Sequence, residues 1–78
     1  MMAYYFTFGC GHPLADYVQR VDASSSDGAR ATMREFYGDK WAFPYGENEV
    51  EPCGEGYVYI HGFRYRVLEK TLKEGETL

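Results

Sequence analysis

Four residues of this chain are of the types that hold zinc: Cys10, His12, Cys53 and His61. Two thiolates and two imidazoles complete a tetrahedral set. The spacing argues against it, because there is no Cys-x-x-Cys and Cys10-x-His12 is tighter than the usual knuckle. The other reading is a free thiol in each of two loops and a histidine in each of two turns. The same residues could supply a Cys/His nucleophile pair. That pair needs an imidazole to lower the thiol pKa and a third group to orient the imidazole. Neither Cys falls at an expected helix start and no orienting group is evident, so no catalytic site is expected. Gly9-Cys10-Gly11-His12 has the glycines of a phosphate loop without its Lys or its following helix. No metal and no cofactor are expected.

A second constellation is charged. Glu47, Glu49, Glu51 and Glu55 lie between Gly46 and Gly56 with no Lys or Arg among them. On an extended segment, alternate carboxylates project to one side about 6–7 Å apart. That is close to the phosphate spacing of a nucleic-acid strand, so the stretch reads as a patch for a basic partner surface, including a nucleic-acid-binding groove. A solvated loop is the plainer reading. Calcium is a third, but the spacing is not that of an EF-hand loop. The neighbouring Tyr57, Tyr59, Arg64 and Arg66 are residue types that anchor protein interfaces and also stack on bases.

Positioning these groups requires a hairpin. Tyr57-Val58-Tyr59-Ile60, His61-Gly62 and Phe63-Arg64-Tyr65-Arg66-Val67 read as strand, two-residue turn and strand, with Gly supplying positive φ. Folding about His61-Gly62 pairs Ile60 with Phe63, Tyr59 with Arg64, Val58 with Tyr65 and Tyr57 with Arg66. Side chains alternate, so Val58, Ile60, Phe63, Tyr65 and Val67 form a core face. Tyr57, Tyr59, Arg64 and Arg66 form the outer face, each Tyr stacking on its Arg.

The remaining elements follow from pattern. Residues 3–8 and 16–23 read as strands joined by a Gly/Pro loop. Ser24 with Asp27 resembles a capping box that starts a helix. Ala29, Met33, Phe36 and Tyr37 recur at helical spacing, and Gly38 ends the helix. Residues 39–45 read as a third strand with Trp41, Phe43 and Tyr45 alternating, and Pro44 marks it as an edge. Residues 46–56 read as a polar connection and 71–78 as a frayed tail. The expected fold is α+β: one domain over residues 1–78, about five antiparallel strands in the order β-β-α-β-β-β, and one helix packed on one face.

Composition sets the boundaries. The 78 residues suffice for one small domain, and eight Tyr, five Phe and one Trp supply its buried area. A net charge of −4 argues against a protein that lives on nucleic acid, though not against one that imitates it. No apolar run approaches the ~20 residues that span a bilayer. The N-terminus lacks the basic segment of a secretory signal, so a cytoplasmic setting with reduced thiols is expected. A Tyr-rich sheet edge leaves a homodimer open.

The blocks Tyr4-Tyr5-Phe6-Thr7-Phe8-Gly9-x-Gly11-His12-Pro13-Leu14, Tyr17-Val18, Ala29-Arg30 and Phe36-x-Gly38-Asp39-Lys40-Trp41-Ala42-Phe43-x-Tyr45 resemble a group of small uncharacterised phage and prophage proteins. The resemblance covers roughly the first 45 residues and brings no activity with it. It implies expression in a bacterial host cytoplasm and leaves new function to the acidic stretch and the Tyr/Arg hairpin. By general class, small acidic phage proteins include anti-CRISPR inhibitors. The expected function is therefore a non-enzymatic inhibitor that mimics DNA and blocks a nucleic-acid site of a host protein or defence ribonucleoprotein complex. Its partner-binding residues would be Glu47, Glu49, Glu51, Glu55, Tyr57, Tyr59, Arg64 and Arg66. The alternatives are a nucleic-acid-binding accessory protein using the Tyr/Arg face, and a small zinc-stabilised module built on Cys10, His12, Cys53 and His61.

Overall fold

Residues 1–77 are described by a computed structural model. Aromatic and β-branched residues place β1 at Met2–Thr7 and β2 at Tyr17–Ala23, an antiparallel pair with Tyr4 opposite Val21 and Tyr5 opposite Arg20. Alternation turns Tyr4, Phe6, Val21 and Ala23 to one face and Tyr5 and Val18 to the other. Both faces are covered, by different elements.

Helix α1, Ser26–Tyr37, covers the first face. Ala29 and Met33 are fully buried against Phe6, Phe8, Val21 and Ala23, and Phe36 and Tyr37 pack at the margin. The expected stripe is thus the buried one. Trp41 meets Phe6 edge-on with ring centroids 5.1 Å apart, and its indole N–H donates to the Gly38 carbonyl at 3.1 Å. The helix cap is Ser25 rather than Ser24, with Ser25 Oγ accepting from the Gly28 N–H at 3.1 Å. Three consecutive serines make the local signal degenerate. A distant contact resolves it, because the Ser24 N–H and hydroxyl both donate to Glu74 Oε1 at 2.8 Å.

Pro44–Gly46 forms β3, shorter than the expected strand over 39–45, and pairs antiparallel with β1 at the sheet edge. Residues 42 and 43 keep two backbone hydrogen bonds to Thr7, while Trp41 turns inward to Phe6. A single 3-10 turn, Glu47–Glu49, leads into β4, Val50–Pro52. The hairpin then follows as β5, Tyr57–Ile60, and β6, Phe63–Val67, in the register read from the sequence. A last strand, β7 at Leu72–Lys73, pairs parallel with β2.

The sheet is therefore mixed and seven-stranded, not five-stranded and antiparallel. Its order is β3-β1-β2-β6-β5-β4, with β7 also on β2. The parallel contact places Tyr17 beside Arg66 and Val18 beside Val67. Local pattern does not encode that pairing, which joins segments nearly fifty residues apart. The two edge strands β3 and β4 point the same way and are joined only by the 3-10 turn, so the sheet must curl almost into a barrel. The second face of β1–β2 turns inward, and Val18, Val58 and Ile60 form a second core with Tyr5, Tyr45, Val50, Tyr65 and Val67 around it.

The segment read as a frayed tail carries β7 and side-chain contacts to the rest of the fold, and its final residue, Leu78, lies outside the described residues. Leu72 is buried in the helix-side core. A Cβ at Gly28 would run into the Glu74 carboxylate, so glycine there lets the tail lie against the first turn of α1. Glu76 accepts from the Lys73 N–H at 3.0 Å and meets Lys70 Nζ at 2.6 Å.

Two outcomes test the anchored tail. Leu72→Ala should cost about 2–5 kcal/mol in urea unfolding, as buried Leu truncations do, where a frayed tail would cost nothing. Hydrogen bonds from Ser24 hold the Glu74 carboxyl below its ordinary pKa, and the Lys70 ammonium and Lys73 N–H do the same for Glu76. A carboxyl with a depressed folded-state pKa stabilises above its unfolded pKa, and that contribution disappears as pH falls through the folded value. Stability should therefore drop on acidification across the carboxylate range, and Glu74→Gln should flatten that drop in urea titrations.

Candidate functional site

The hairpin turn has His61 at φ 50° and Gly62 at φ 86°, the two successive positive values of a type I′ turn. It sets the register that sorts the outer face into two rows. Glu51, Tyr59 and Arg64 lie side by side across β4, β5 and β6. Tyr57, Arg66 and Tyr17 lie side by side across β5, β6 and β2. Among the described residues no helix covers either row, since α1 packs over β2 and β7.

Two expectations about this hairpin change. Phe63, read as a core residue, is 69% exposed although its partner Ile60 is buried. It lies next to the turn and lines an open hollow rather than the packed core. Phe43, 63% exposed, borders the same hollow together with Cys10, Tyr45 and His61. The Tyr–Arg stacking converges on Tyr57, reached by its directly opposite partner Arg66 and by the diagonal Arg64 in place of Tyr59. The Arg64 guanidinium carbon sits 4.0 Å from the centre of the Tyr57 ring and that of Arg66 5.8 Å from the same ring. Strand twist brings diagonal neighbours within reach of long side chains. Tyr59 is left exposed beside Glu51.

The acidic residues do not form one extended ladder. The 3-10 turn interrupts the alternation, and two of the four carboxylates hold the barrel seam. Glu47 Oε1 accepts from the Ala3 N–H at 3.2 Å, tying the turn to β1. Glu49 Oε2 accepts from the Gly46 N–H at 3.0 Å, and its Oε1 lies 3.6 Å from His61 Nε2. Glu51 on β4 and Glu55 in the β4–β5 connection are exposed and form no ion pair among the described residues. Glu49, Glu51, Tyr59 and His61 border an open hollow of about 480 Å³ with Asn48 and Gly62. The site is thus negative along the seam and β4 and positive at Arg64 and Arg66.

The Cys/His set does not assemble. Cys10 is exposed in the β1–β2 loop and Cys53 is half-buried in the β4–β5 connection. His12 stacks on Phe8 at 4.9 Å and accepts from the Leu14 N–H through Nδ1 at 3.0 Å, so it shapes its own loop. His61 packs beside Tyr45, with ring centroids 5.4 Å apart. Among the described residues no three His, Cys, Asp or Glu side chains are grouped to hold a metal ion. Cys10, His12, Cys53 and His61 are therefore not brought together as a ligand set. No imidazole is engaged by either Cys in the hydrogen bonds described above, which leaves the nucleophile pair without support.

The sequence reading missed Gln19, Tyr17 and the role of His61. Gln19 is 2% exposed, yet every polar atom of its amide is used. Its Oε1 accepts from the Tyr37 hydroxyl at 2.8 Å, and its Nε2 donates to the carbonyls of Arg20 at 2.9 Å and Lys70 at 2.6 Å. A Gln flanked by Val18 and Arg20 carries no local mark of burial; only the alternation of β2 points to it. Desolvation in this setting pushes the Tyr37 hydroxyl pKa up.

No protein family, curated protein or solved structure matches the chain. Among the described residues no helix is long and apolar enough to cross a membrane.

The turn geometry and the buried amide are each testable by unfolding. Gly62→Ala meets open space, so its cost is conformational alone and should be about 1–2 kcal/mol. Gln19→Ala leaves the Tyr37 hydroxyl and the Lys70 carbonyl without partners and should cost about 1–3 kcal/mol. Unchanged urea midpoints would contradict the described turn and the described network respectively.

Proposed function

We propose that this chain is a phage-encoded, non-enzymatic inhibitor that docks through its acidic seam and hairpin on a basic, nucleic-acid-handling surface of a bacterial defence complex. The observation that carries the reading is the uncovered row Glu51–Tyr59–Arg64 beside Glu49, a surface with two exposed carboxylates around an exposed aromatic. A Lys/Arg-lined groove would find complementary charge there, and Tyr59 would supply the apolar anchor typical of interface hot spots. The net charge of −4 favours approach to a basic surface at long range. The phage resemblance of the first 45 residues supplies the bacterial setting. In this reading the partner is a protein or ribonucleoprotein, and the mechanism is steric and electrostatic.

Extended binding of a nucleic-acid strand to the Tyr/Arg face is the weaker reading. Glu51 stands in the same row as Tyr59 and Arg64, and a polyanion crossing that row would meet its carboxylate.

The test is capture of a host complex by the tagged chain from the lysate of a defence-competent bacterium, with Glu51→Lys, Glu55→Lys as the control. These two residues make no ion pair among the described residues, so their reversal leaves the seam bonds of Glu47 and Glu49 intact. The wild type should retain a nucleic-acid-handling complex that high salt releases, and the folded double variant should lose it at least tenfold. Equal capture by both chains would sink the acidic-surface mechanism.

A further inference from the structure

A positively charged cleft lies next to the acidic docking surface and shares Arg64 with it. Arg64 and Arg66 are two residues apart on β6 and point to the same face, about 6–7 Å apart along the strand. Tyr57 and Tyr17 flank Arg66 from the two neighbouring strands. Tyr17, Tyr57, Arg64 and Arg66 line a cleft of about 260 Å³ whose remaining wall is Asp16 and Tyr65. Both guanidinium groups gather over the Tyr57 ring, and neither forms an ion pair among the described residues. The backbone N–H of Arg66 donates to the Asp16 carbonyl at 3.0 Å, which ties this part of β6 to the start of β2.

We infer that this cleft binds a small phosphorylated ring compound, of the class of a nucleoside monophosphate. Each guanidinium offers up to five donors in a fixed fork. The two oxygens of a carboxylate satisfy one such fork, whereas a phosphate monoester presents three charged oxygens and can accept from two. The Tyr17 ring gives a planar group aromatic surface to lie against, the Tyr57 ring being covered by Arg64. The ligand is small for two reasons on the same face. The cleft holds about one ring and one phosphate, and Glu51 in the adjacent row repels any continuing chain of phosphates. Asp16 is the one carboxylate lining the cleft and weakens anion binding without abolishing it.

Titration of the isolated, isotope-labelled chain with adenosine 5′-monophosphate, inorganic phosphate and adenosine, followed by amide chemical shifts, tests this. Adenosine monophosphate should shift residues of β6 and the adjoining parts of β5 and β2. Phosphate should do so more weakly and adenosine hardly at all. Arg64→Gln with Arg66→Gln should weaken binding by at least about tenfold, the scale of a charged hydrogen bond. Asp16→Asn should tighten it by about two- to five-fold, as removal of one exposed like charge does. No shift with adenosine monophosphate, or equal affinity in the folded double-arginine variant, would overturn the inference. Shifts scattered over unrelated surfaces would also overturn it, as a non-specific salt effect. The experiment contains no host complex, so its failure and the failure of the docking proposal are separate results.

Discussion

Three residues, Glu47–Glu49, join the two edges of the sheet. Strands β3 and β4 lie at opposite ends of the strand order and still follow one another in the chain. A flat sheet would put them five strand spacings apart, about 24 Å at the usual 4.7–4.9 Å per strand. A single 3-10 turn of about 2 Å rise per residue cannot cross that distance. The sheet therefore has to curl, and the second core, the seam bonds of Glu47 and Glu49, and the exposure of the outer hairpin face all follow. The curl also protects the edges, because the strand edges that would otherwise template aggregation are drawn toward each other.

Closure solves a second difficulty, that of a small chain with too little to bury. Both faces of the β1–β2 pair are used, one by α1, Trp41 and Leu72 and the other by the hairpin. Gln19 sits on the helix-facing side and carries the polar part of that packing, linking the Tyr37 hydroxyl on α1 to the Lys70 carbonyl that leads into β7. A buried amide with all its hydrogen bonds made specifies one arrangement, since a shifted helix or tail would leave it unsatisfied. No buried side-chain N or O atom among the described residues lacks a partner.

The charge pattern on the uncovered face is a product of the same topology. The carboxylates come from the seam and β4, and the arginines from β6 with β5 between them, so a face of three strands grades from acidic to basic over about 10 Å at one strand spacing per step. The acidic side suits a basic macromolecular surface, and the basic side forms a confined cleft between tyrosines. A chain of net charge −4 can thus present separate chemistries within one hairpin and its neighbours.

Local structure was legible in the residues because it depends on neighbours in sequence. The β5–β6 register followed from His61-Gly62, the buried helix stripe from the spacing of Ala29, Met33, Phe36 and Tyr37, and the edge character of β3 from Pro44. The types of the candidate site residues could be read from the sequence, but their grouping could not. Glu47 and Glu49 are held by Ala3 and Gly46, both arginines gather on Tyr57, and Phe63 is exposed at an open hollow. Only the tertiary structure decided these, together with the parallel pairing of β2 with β6 and β7 and the anchoring of the tail by Leu72 and Glu74. The physical reason is range. Turn conformation, helix periodicity and strand alternation are set within a few residues, whereas barrel closure and parallel pairing depend on which distant apolar faces bury each other at the least cost in unpaired backbone.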